Sequence, residues 1–295
     1  MHGIVPSLNT PFDVSGALDL VSLSKLVEHT VKTGCSGMLG LAVAGEHGTL
    51  NYPEKIRFVN EVVKQNQGRI PFICSVTSTT FNETLDLTRA ATAAGVDGIC
   101  VQIPTSFSLE EKLSFLDELE KESPGILMVQ DLDWSSGGLS LEEILILYQK
   151  IEKFKWIKIE TLHAGPKYSA VTEATEQGLK VCGGWAVTQL MDAMARSVDA
   201  FIPTGLETIY VAIYDAYQAG EEQRARTLFE SILPILNFSN QHIDISIRFF
   251  KNLRVREGLF ASDYCRSPSA VFDPVQSQEA KHATSRAMRL LSDLN

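Results

Sequence analysis

The chain has 295 residues, a formal net charge of −10 and a hydrophobic content of 44%. This hydrophobic content excludes a globally disordered chain, and the length allows a sizeable buried core without metal or disulfide staples. The acidic balance argues against a nucleic-acid partner and against a basic membrane-binding surface, because both need clustered lysine and arginine.

Short segments rich in β-branched residues recur along the first two thirds of the chain. They are spaced about 18 to 34 residues apart, which is the length of a βα unit. Several are almost wholly apolar, as in parallel strands that are covered on both faces. The predicted strands cover residues 4–8, 36–43, 70–76, 97–103, 126–131, 155–160, 179–182 and 198–203.

Amphipathic stretches with recognisable ends lie between these strands. Residues 19–32 carry apolar side chains at helical spacing, and Pro53 suits the first turn of the next helix. Further helix starts and ends are predicted at the N-caps Asn82, Ser108 and Ser140 and at the glycines Gly34, Gly95 and Gly178. After residue 206 the pattern is helical only, with helices predicted over 206–219, 221–236, 239–257 and 277–294.

Eight βα units predict the α/β class and a TIM (β/α)8 barrel. We expect the barrel to cover residues 1–220 and a C-terminal helical extension of the same domain to cover 221–295. A doubly wound open sheet is the alternative. A nucleotide-binding sheet of that kind needs a glycine-rich turn after its first strand, and the segment SLNTPF is not one.

The sequence has few features that indicate where in the cell the protein is located. No apolar run approaches the roughly 18 residues of a membrane span, and the N-terminus does not have the pattern of a signal peptide. The five cysteines are scattered and form no CxxC pair, which is typical of reduced core thiols. We therefore expect a cytoplasmic protein.

Lys158 is the strongest candidate for chemistry. Catalytic residues of such barrels lie at the C-terminal ends of strands. In the sixth strand, alternation directs Ile157 and Ile159 toward the helices and Lys158 and Glu160 toward the lumen. Burial favours the neutral amine, which is a nucleophile toward carbonyl carbon. A structural ion pair between Lys158 and Glu160 is the alternative, and spacing alone does not decide between them.

Motifs spread over nearly the whole chain resemble the dihydrodipicolinate synthase/N-acetylneuraminate lyase superfamily of Schiff-base aldolases. The matching segments are Thr10-Pro11-Phe12, Gly45-Glu46 with Thr49-Leu50, Pro71, Gly95-Val96-Asp97-Gly98, Ile157-Lys158-Ile159-Glu160 and Arg266-Ser267-Pro268. The resemblance implies a barrel with trailing helices, usually a homotetramer built from tight dimers. It also implies that Lys158 forms an imine with a 2-keto acid and that no separate cofactor is needed.

Several positions depart from the family pattern. The family's GTTGE reads Ala42-Val43-Ala44-Gly45-Glu46, and its strand-five tyrosine, the usual proton shuttle, falls on Gln130. The PPYY element reads Ile103-Pro104-Thr105-Ser106, and the arginine that recognises aspartate semialdehyde has no counterpart after strand five. These departures disfavour a lysine-biosynthetic synthase.

Strands five and six resemble one branch of the superfamily. Val129-Gln130-Asp131 with Lys158-Ile159-Glu160-Thr161 is similar to the 2-keto-3-deoxyarabonate dehydratase type. In that reading Lys158 forms the imine and Glu160 moves protons, with His163 as the alternative base. Gln130 orients a hydroxyl or a water, because an amide does not titrate in the useful range.

The remaining site residues are expected to bind substrate. Backbone N–H groups around Ala44 and Gly45 would hold the substrate carboxylate, and Glu46 would anchor that loop by hydrogen bonds. Gly184 would let the backbone approach the ligand, and Trp185 would form a pocket wall. No metal-binding pattern appears in the sequence.

The predicted function is a Schiff-base lyase, a dehydratase or aldolase of a 2-keto-3-deoxy sugar acid. The expected partners are that small-molecule 2-keto acid and further copies of the chain, as a tetramer or a dimer. A dihydrodipicolinate synthase or N-acetylneuraminate lyase-type aldolase is the alternative. A non-catalytic barrel that binds a keto acid is the alternative from another class, supported by the missing tyrosines and threonines.

Overall fold

The computed structural model describes residues 1–184, 188–266 and 271–294. The contacts between residues divide the chain into two compact units. The first unit contains residues 1–5 and 71–202, and the second contains residues 6–70 and 203–295.

All eight predicted strands are present among the described residues. They are β1 (Gly3–Ile4), β2 (Met38–Gly40), β3 (Phe72–Ser75), β4 (Gly98–Gln102), β5 (Ile126–Asp133), β6 (Phe154–Thr161), β7 (Lys180–Gly183) and β8 (Ala200–Phe201). The first strand is shorter than predicted, because Pro6 has no N–H group to continue the ladder. Its last hydrogen bond to β8 runs from the Val5 N–H to the Phe201 carbonyl, at 2.9 Å.

Helices follow the strands in the predicted alternation. They are α1 (Leu20–Lys32), α2 (Tyr52–Asn66), α3 (Phe81–Ala94), α4 (Leu109–Glu122), α5 (Leu141–Lys150), α6 (Ala164–Ala174), α7 (Leu190–Ala195), α8 (Glu207–Gln218), α9 (Glu222–Ser239), α10 (Ile243–Arg256) and α11 (Pro274–Leu294). This order of strands and helices confirms the predicted (β/α)8 class with a C-terminal helical extension. The domain limits at 220 and 221 stay a prediction. Within the described ranges, no helix combines the length and the apolar character needed to cross a bilayer.

The predicted helix ends are partly confirmed. Ser108 and Ser140 are N-caps with complete capping boxes, and Gly95 is the left-handed C-cap of α3. Asn82 was the wrong cap: the Thr80 hydroxyl accepts the N–H of Glu83, and the Glu83 carboxylate accepts the N–H of Thr80. This reciprocal pair starts α3 one residue before Asn82.

Two further helix boundaries differ from the prediction. Gly178 does not end α6, whose C-cap is Thr175. Its lack of a side chain instead admits the hydroxyl of Tyr148. Helix α10 begins at Ile243 rather than at 239, because the His242 ring accepts the N–H of Asp244 and caps it there.

The sheet of the first unit places the site residues in register. Its strands run in the order β1-β8-β7-β6-β5-β4-β3, and every pairing is parallel. Gln102 on β4 pairs with Gln130 on β5, which pairs with Lys158 on β6, which pairs with Cys182 on β7. Residues in one row of a parallel sheet point to the same face. These four side chains therefore share one layer.

The second unit contains β2 and the helices α1, α2 and α8–α11. Helix α1 packs on α2, and α9 packs on α8, α10 and α11. Two short 3₁₀ helices, Val43–Gly45 and His47–Thr49, follow β2. They contain the predicted carboxylate-binding loop.

Candidate active site

Lys158 lies on β6 and is 5% exposed. Ile157 and Ile159, its neighbours on the opposite face, are fully buried. The Lys158 ammonium donates to Oε2 of Glu160 at 2.5 Å, so both side chains lie on the same face, as alternation predicts. A buried lysine and a buried carboxylate are thus in direct contact.

A chain of hydrogen bonds extends from this pair across two strands. Nε2 of Gln130 donates to the same Oε2 of Glu160 at 2.5 Å, and Nε2 of Gln102 donates to Oε1 of Gln130 at 3.2 Å. One carboxylate oxygen therefore accepts from an ammonium and from an amide. The same oxygen thus lies within hydrogen-bond distance of the amine and of the amide. We call the group of Lys158, Glu160, Gln130 and Gln102 the lysine cluster.

Gly184 closes one side of the lysine cluster. A Cβ atom at this position would lie 2.6 Å from Cδ of Glu160 and 2.8 Å from Cε of Lys158. Both distances are shorter than any ordinary van der Waals contact. The backbone at Gly184 therefore lies directly against the side chains of Lys158 and Glu160.

Gln102 is the member of the lysine cluster that the sequence analysis missed. A polar residue at the end of the apolar run 98–103 was the available signal. It is the same signal that singled out Gln130 and Lys158. What the sequence does not contain is the register between β4 and β5, which brings the two amides together.

The thiols near Lys158 are not competing nucleophiles at neutral pH. Burial raises the pKa of Cys100 to about 12 and raises the pKa of Cys182 well above its usual range. Both thiols are fully buried: Cys100 lies on β4 with Gln102, and Cys182 lies on β7, paired with Lys158. Among the described side chains of this row, Lys158 is the amine that has a carboxylate in direct contact.

His163 is not hydrogen-bonded to the lysine cluster in the described contacts. It is exposed and caps α6 in the left-handed conformation. The Lys167 ammonium of α6 instead binds Asp131 at 2.5 Å. Trp185 lies outside the described residues.

The loop of Ala44 and Gly45 lies in the second unit. Its carbonyl groups are held by side chains: Asn9 donates to the Ala44 carbonyl at 3.2 Å, and Thr10 donates to the Gly45 carbonyl at 2.6 Å. The Gly45 N–H already donates to Ala42 at 2.9 Å, which differs from the prediction. In a 3₁₀ turn the later N–H groups are bonded within the turn, whereas the first N–H groups have no partner inside it. The N–H groups of Val43 and Ala44, at the start of this turn, are therefore the ones that can donate to a carboxylate.

Glu46 is bound on both sides of its carboxylate. Oε1 forms an ion pair with Lys251 of α10, and Oε2 accepts the N–H of Arg266 at 2.8 Å. Lys251 also donates to the Tyr264 carbonyl at 2.8 Å and lies over the ring of Phe12. Burial lowers the pKa of Lys251, and Glu46 opposes that shift. Glu46 has the contacts that the predicted anchor of this loop requires.

Arg266 forms a second set of contacts in the same unit. Its guanidinium binds the Glu54 carboxylate through both oxygens, at 2.8 and 2.5 Å, and it stacks on Phe12. It also donates to the Thr49 carbonyl at 3.2 Å. Ser267 and Pro268, the rest of the predicted motif, lie outside the described residues. Across the described ranges no three His, Cys, Asp or Glu side chains cluster as metal ligands would.

Comparisons with known proteins agree with this architecture. The sequence model of the dihydrodipicolinate synthetase family matches residues 1–287. A 4-hydroxy-tetrahydrodipicolinate synthase of Nitrosococcus oceani is 38% identical over 103 residues, which are 35% of this chain and 35% of that protein. The chain thus spans about a third of the length of the first curated relatives that it matches.

Solved structures resemble the whole chain. The dihydrodipicolinate synthase of Rhodopseudomonas palustris has a TM-score of 0.90 at 21% identity and covers 97% of each chain. The N-acetylneuraminate lyase of Fusobacterium nucleatum has a TM-score of 0.85 at 19% identity and covers 97% of this chain and 98% of its own. At these identities the likeness concerns the fold, and it agrees with the predicted barrel and trailing helices.

Proposed function

Because the chain belongs to the dihydrodipicolinate synthetase family, we propose that it is a Schiff-base lyase acting on a 2-keto-3-deoxy sugar acid. The contact of Lys158 with Glu160 and of Glu160 with Gln130 carries the proposal. It combines a buried amine, a buried proton acceptor and an amide on one face of the sheet. No cofactor is needed beyond the imine itself.

The first step is imine formation. Lys158 transfers a proton to Glu160 at 2.5 Å and becomes a neutral amine, which attacks the C2 carbonyl. The resulting carbinolamine loses its hydroxyl as water, with the proton returned from Glu160. Overall, an ammonium group and a ketone are converted to a protonated imine and water.

The second step uses the protonated imine as an electron sink. Glu160 takes a proton from C3, and the C–H electron pair forms the C2–C3 double bond of an enamine. The enamine expels the C4 hydroxyl as water, with the proton supplied by Glu160. One carboxylate thus serves as base and then as acid, which general acid–base catalysis allows for a group next to both atoms.

Dehydration is our first choice over aldol cleavage. Cleavage starts by deprotonating the C4 hydroxyl, and the family's tyrosine for proton transfer is replaced by Gln130, which cannot titrate. Dehydration needs a base at C3, beside the imine nitrogen, where Glu160 contacts Lys158.

Two other functions have specific support. A dihydrodipicolinate synthase or N-acetylneuraminate lyase-type aldolase is favoured by the names of the similar proteins. Loss of the family's threonines and tyrosines favours a barrel that only binds a keto acid. The lysine cluster supports the enzyme, because Glu160 is placed to accept a proton from the amine, and borohydride trapping separates this role from a structural ion pair.

The other expected residues stay proposals. We assign carboxylate binding to the backbone at Ala44, with Gly45 and Glu46 shaping the loop, and close ligand approach to Gly184. His163 and Trp185 are proposed to contact substrate outside the lysine cluster. The same family membership underlies the proposals of a homo-oligomer, tetramer or dimer, and of a cytoplasmic location.

Borohydride trapping tests the proposal. The protein is incubated with pyruvate or a 2-keto-3-deoxy acid, reduced and weighed intact, and the adduct is located by peptide mapping. We expect an adduct on Lys158 that a Lys158→Ala variant does not form. Lys155→Ala is the matched control, because Lys155 is an exposed lysine on the same strand. No adduct with any keto acid, or turnover by Lys158→Ala, would overturn the mechanism.

The identity of the product then distinguishes dehydration from aldol cleavage. Dehydration yields a semialdehyde that keeps all the carbons of the substrate, whereas cleavage releases pyruvate. Mass spectrometry of the small-molecule fraction distinguishes the two outcomes. If pyruvate is formed in stoichiometric amount, the reaction is aldol cleavage and the proposed dehydration is wrong.

A further inference from the structure

We propose that Gln102 is a positioning residue for proton transfer at C3: it holds Gln130 in the orientation that donates to Glu160. This inference rests on the proposed function and adds a residue to its machinery. Gln102 contacts neither Lys158 nor Glu160 by any described hydrogen bond, so it acts through Gln130.

The position of Gln102 is set by the sheet. It pairs with Gln130 in the β4–β5 register, in the same row as Lys158. The Thr77 hydroxyl accepts its backbone N–H at 3.0 Å, which holds the end of β4. The side chain is therefore presented to Gln130 from a fixed strand end rather than from a loop.

An amide side chain has one accepting end and one donating end, and only one orientation of Gln130 suits both neighbours. Its Oε1 accepts from Nε2 of Gln102 at 3.2 Å, so its Nε2 faces Oε2 of Glu160 at 2.5 Å. The reverse orientation would place the Gln130 oxygen against an ionised carboxylate. It would also oppose two amide donors at Gln102. The Glu160 acceptor on one side and the Gln102 donor on the other thus favour the same orientation of Gln130.

The orientation of Gln130 matters most once the imine exists. In the free protein, Oε2 of Glu160 accepts from Lys158 and from Gln130. When the Lys158 ammonium becomes an imine, its hydrogen bond to Glu160 is altered. The hydrogen bond from Gln130 then holds the Glu160 carboxylate beside C3. Without that hydrogen bond the carboxylate can rotate away or remain protonated, and proton removal slows.

Other ionisable groups around Glu160 do not replace this contact. They are the Cys100 and Cys182 thiols and the Tyr168 phenol, besides Lys158 itself. Burial raises the pKa of all three, which keeps them neutral at physiological pH. The Tyr168 hydroxyl lies at the backbone carbonyl of Ile159, on the other side of the strand.

Pyruvate allows imine formation and proton removal from C3 to be measured separately. Its imine can lose a C3 proton, but pyruvate has no C4 hydroxyl that could leave. In D₂O, Glu160 takes a methyl proton, the C–H pair forms the enamine, and return of a deuteron from the exchanged carboxyl labels C3. Borohydride trapping measures the imine at equilibrium, and NMR of the methyl group measures exchange. The variants are Gln102→Met, which removes the donor, and Gln102→Glu, which replaces it by an acceptor. Gln149→Met, at an exposed position on α5, is the matched control.

We expect both Gln102 variants to trap pyruvate within about twofold of the wild-type protein. Exchange should fall about tenfold in Gln102→Met and further in Gln102→Glu, where Gln130 is forced to turn its oxygen to Glu160. The Gln149→Met control should match the wild-type protein in both assays. A loss of exchange without a loss of imine is the signature of a positioning role in proton transfer.

Two outcomes would overturn the inference while leaving the proposed function intact. One is wild-type exchange in both Gln102 variants. The other is a parallel loss of imine and exchange together with a lower melting temperature, which marks a packing role. If the wild-type protein forms no pyruvate adduct, the proposed function itself fails, and this inference fails with it.

Discussion

Substitution of Gly184 by alanine tests the lysine cluster directly. The added methyl group would lie 2.6 Å from Cδ of Glu160, whereas ordinary contact begins at 3.4 Å. The carboxyl group must therefore move by at least about 0.8 Å, the difference between those two distances, because its Oε1 atom lies closer still to the added methyl group. It cannot do so and keep both of its 2.5 Å hydrogen bonds, to Lys158 and to Gln130.

The structure allows both magnitudes to be estimated. Overpacking a buried site costs about 1–3 kcal/mol, so the Gly184→Ala variant should unfold at lower denaturant concentration. A displacement of about 1 Å in a catalytic group costs on the order of 100-fold in rate. We therefore expect turnover, or C3 exchange of pyruvate, to fall by about two orders of magnitude while the protein stays folded.

Gly125→Ala is the control for this experiment. Gly125 is in the same unit, and a Cβ atom there would meet nothing within 4 Å. Urea unfolding followed by circular dichroism gives the stability of each variant, and the exchange assay gives the rate. Wild-type exchange by Gly184→Ala would refute the reasoning, since it would mean that Glu160 need not stay beside Lys158.

Three further predictions follow from the same contacts. Glu160→Gln should still trap pyruvate on Lys158 but lose about 10²–10⁴-fold in C3 exchange, because an amide accepts no proton; equal exchange would remove Glu160 from the mechanism. Lys251→Met removes the ion-pair partner of the buried Glu46 carboxylate, so it should cost about 3–5 kcal/mol in urea unfolding. Adding Glu46→Gln should recover part of that loss, and full additivity would contradict the ion pair. The buried Cys100 thiol has its pKa raised from 9.0 to about 12, so its contribution to stability is complete below pH 9 and is lost as the pH rises toward 12. The slope is about 1.4 kcal/mol per pH unit for this thiol, and Cys100→Ala should flatten the measured profile by that amount.

The spacing of neighbouring residues in the sequence predicted many of the helices and strands correctly. The helix starts at Ser108 and Ser140 follow from a hydroxyl residue with a glutamate three positions later. Asn82 was wrong because two residue types compete for the same role, and the reciprocal pair of Thr80 and Glu83 prevails. The deciding pair is itself local, so the complete motif of a hydroxyl residue with a glutamate three positions later identifies this helix start better than a single cap residue does.

Local sequence patterns likewise predict some features of the candidate site and miss others. The apolar residues around Lys158 predict its burial, and strand alternation predicts that Glu160 shares its face. Neither pattern predicts that Gln102 accompanies Gln130, or that the Gly45 N–H is already bound within its own turn. Those facts depend on strand register and on the path of the loop, which no local period encodes.

Sequence patterns alone predicted the eight βα units, the trailing helices, the shared face of Lys158 and Glu160 on β6, and the lysine that we propose forms the imine. These follow from periods of two and 3.6 residues and from chemistry held within a few positions. Only the tertiary structure decided which oxygen of Glu160 accepts, which end of Gln130 faces it, and that Lys251 and Arg266 hold Glu46 from more than 200 residues along the chain. Hydrogen-bond partners are set by distances of about 3 Å in space, and those distances exist only after the strands have taken their register.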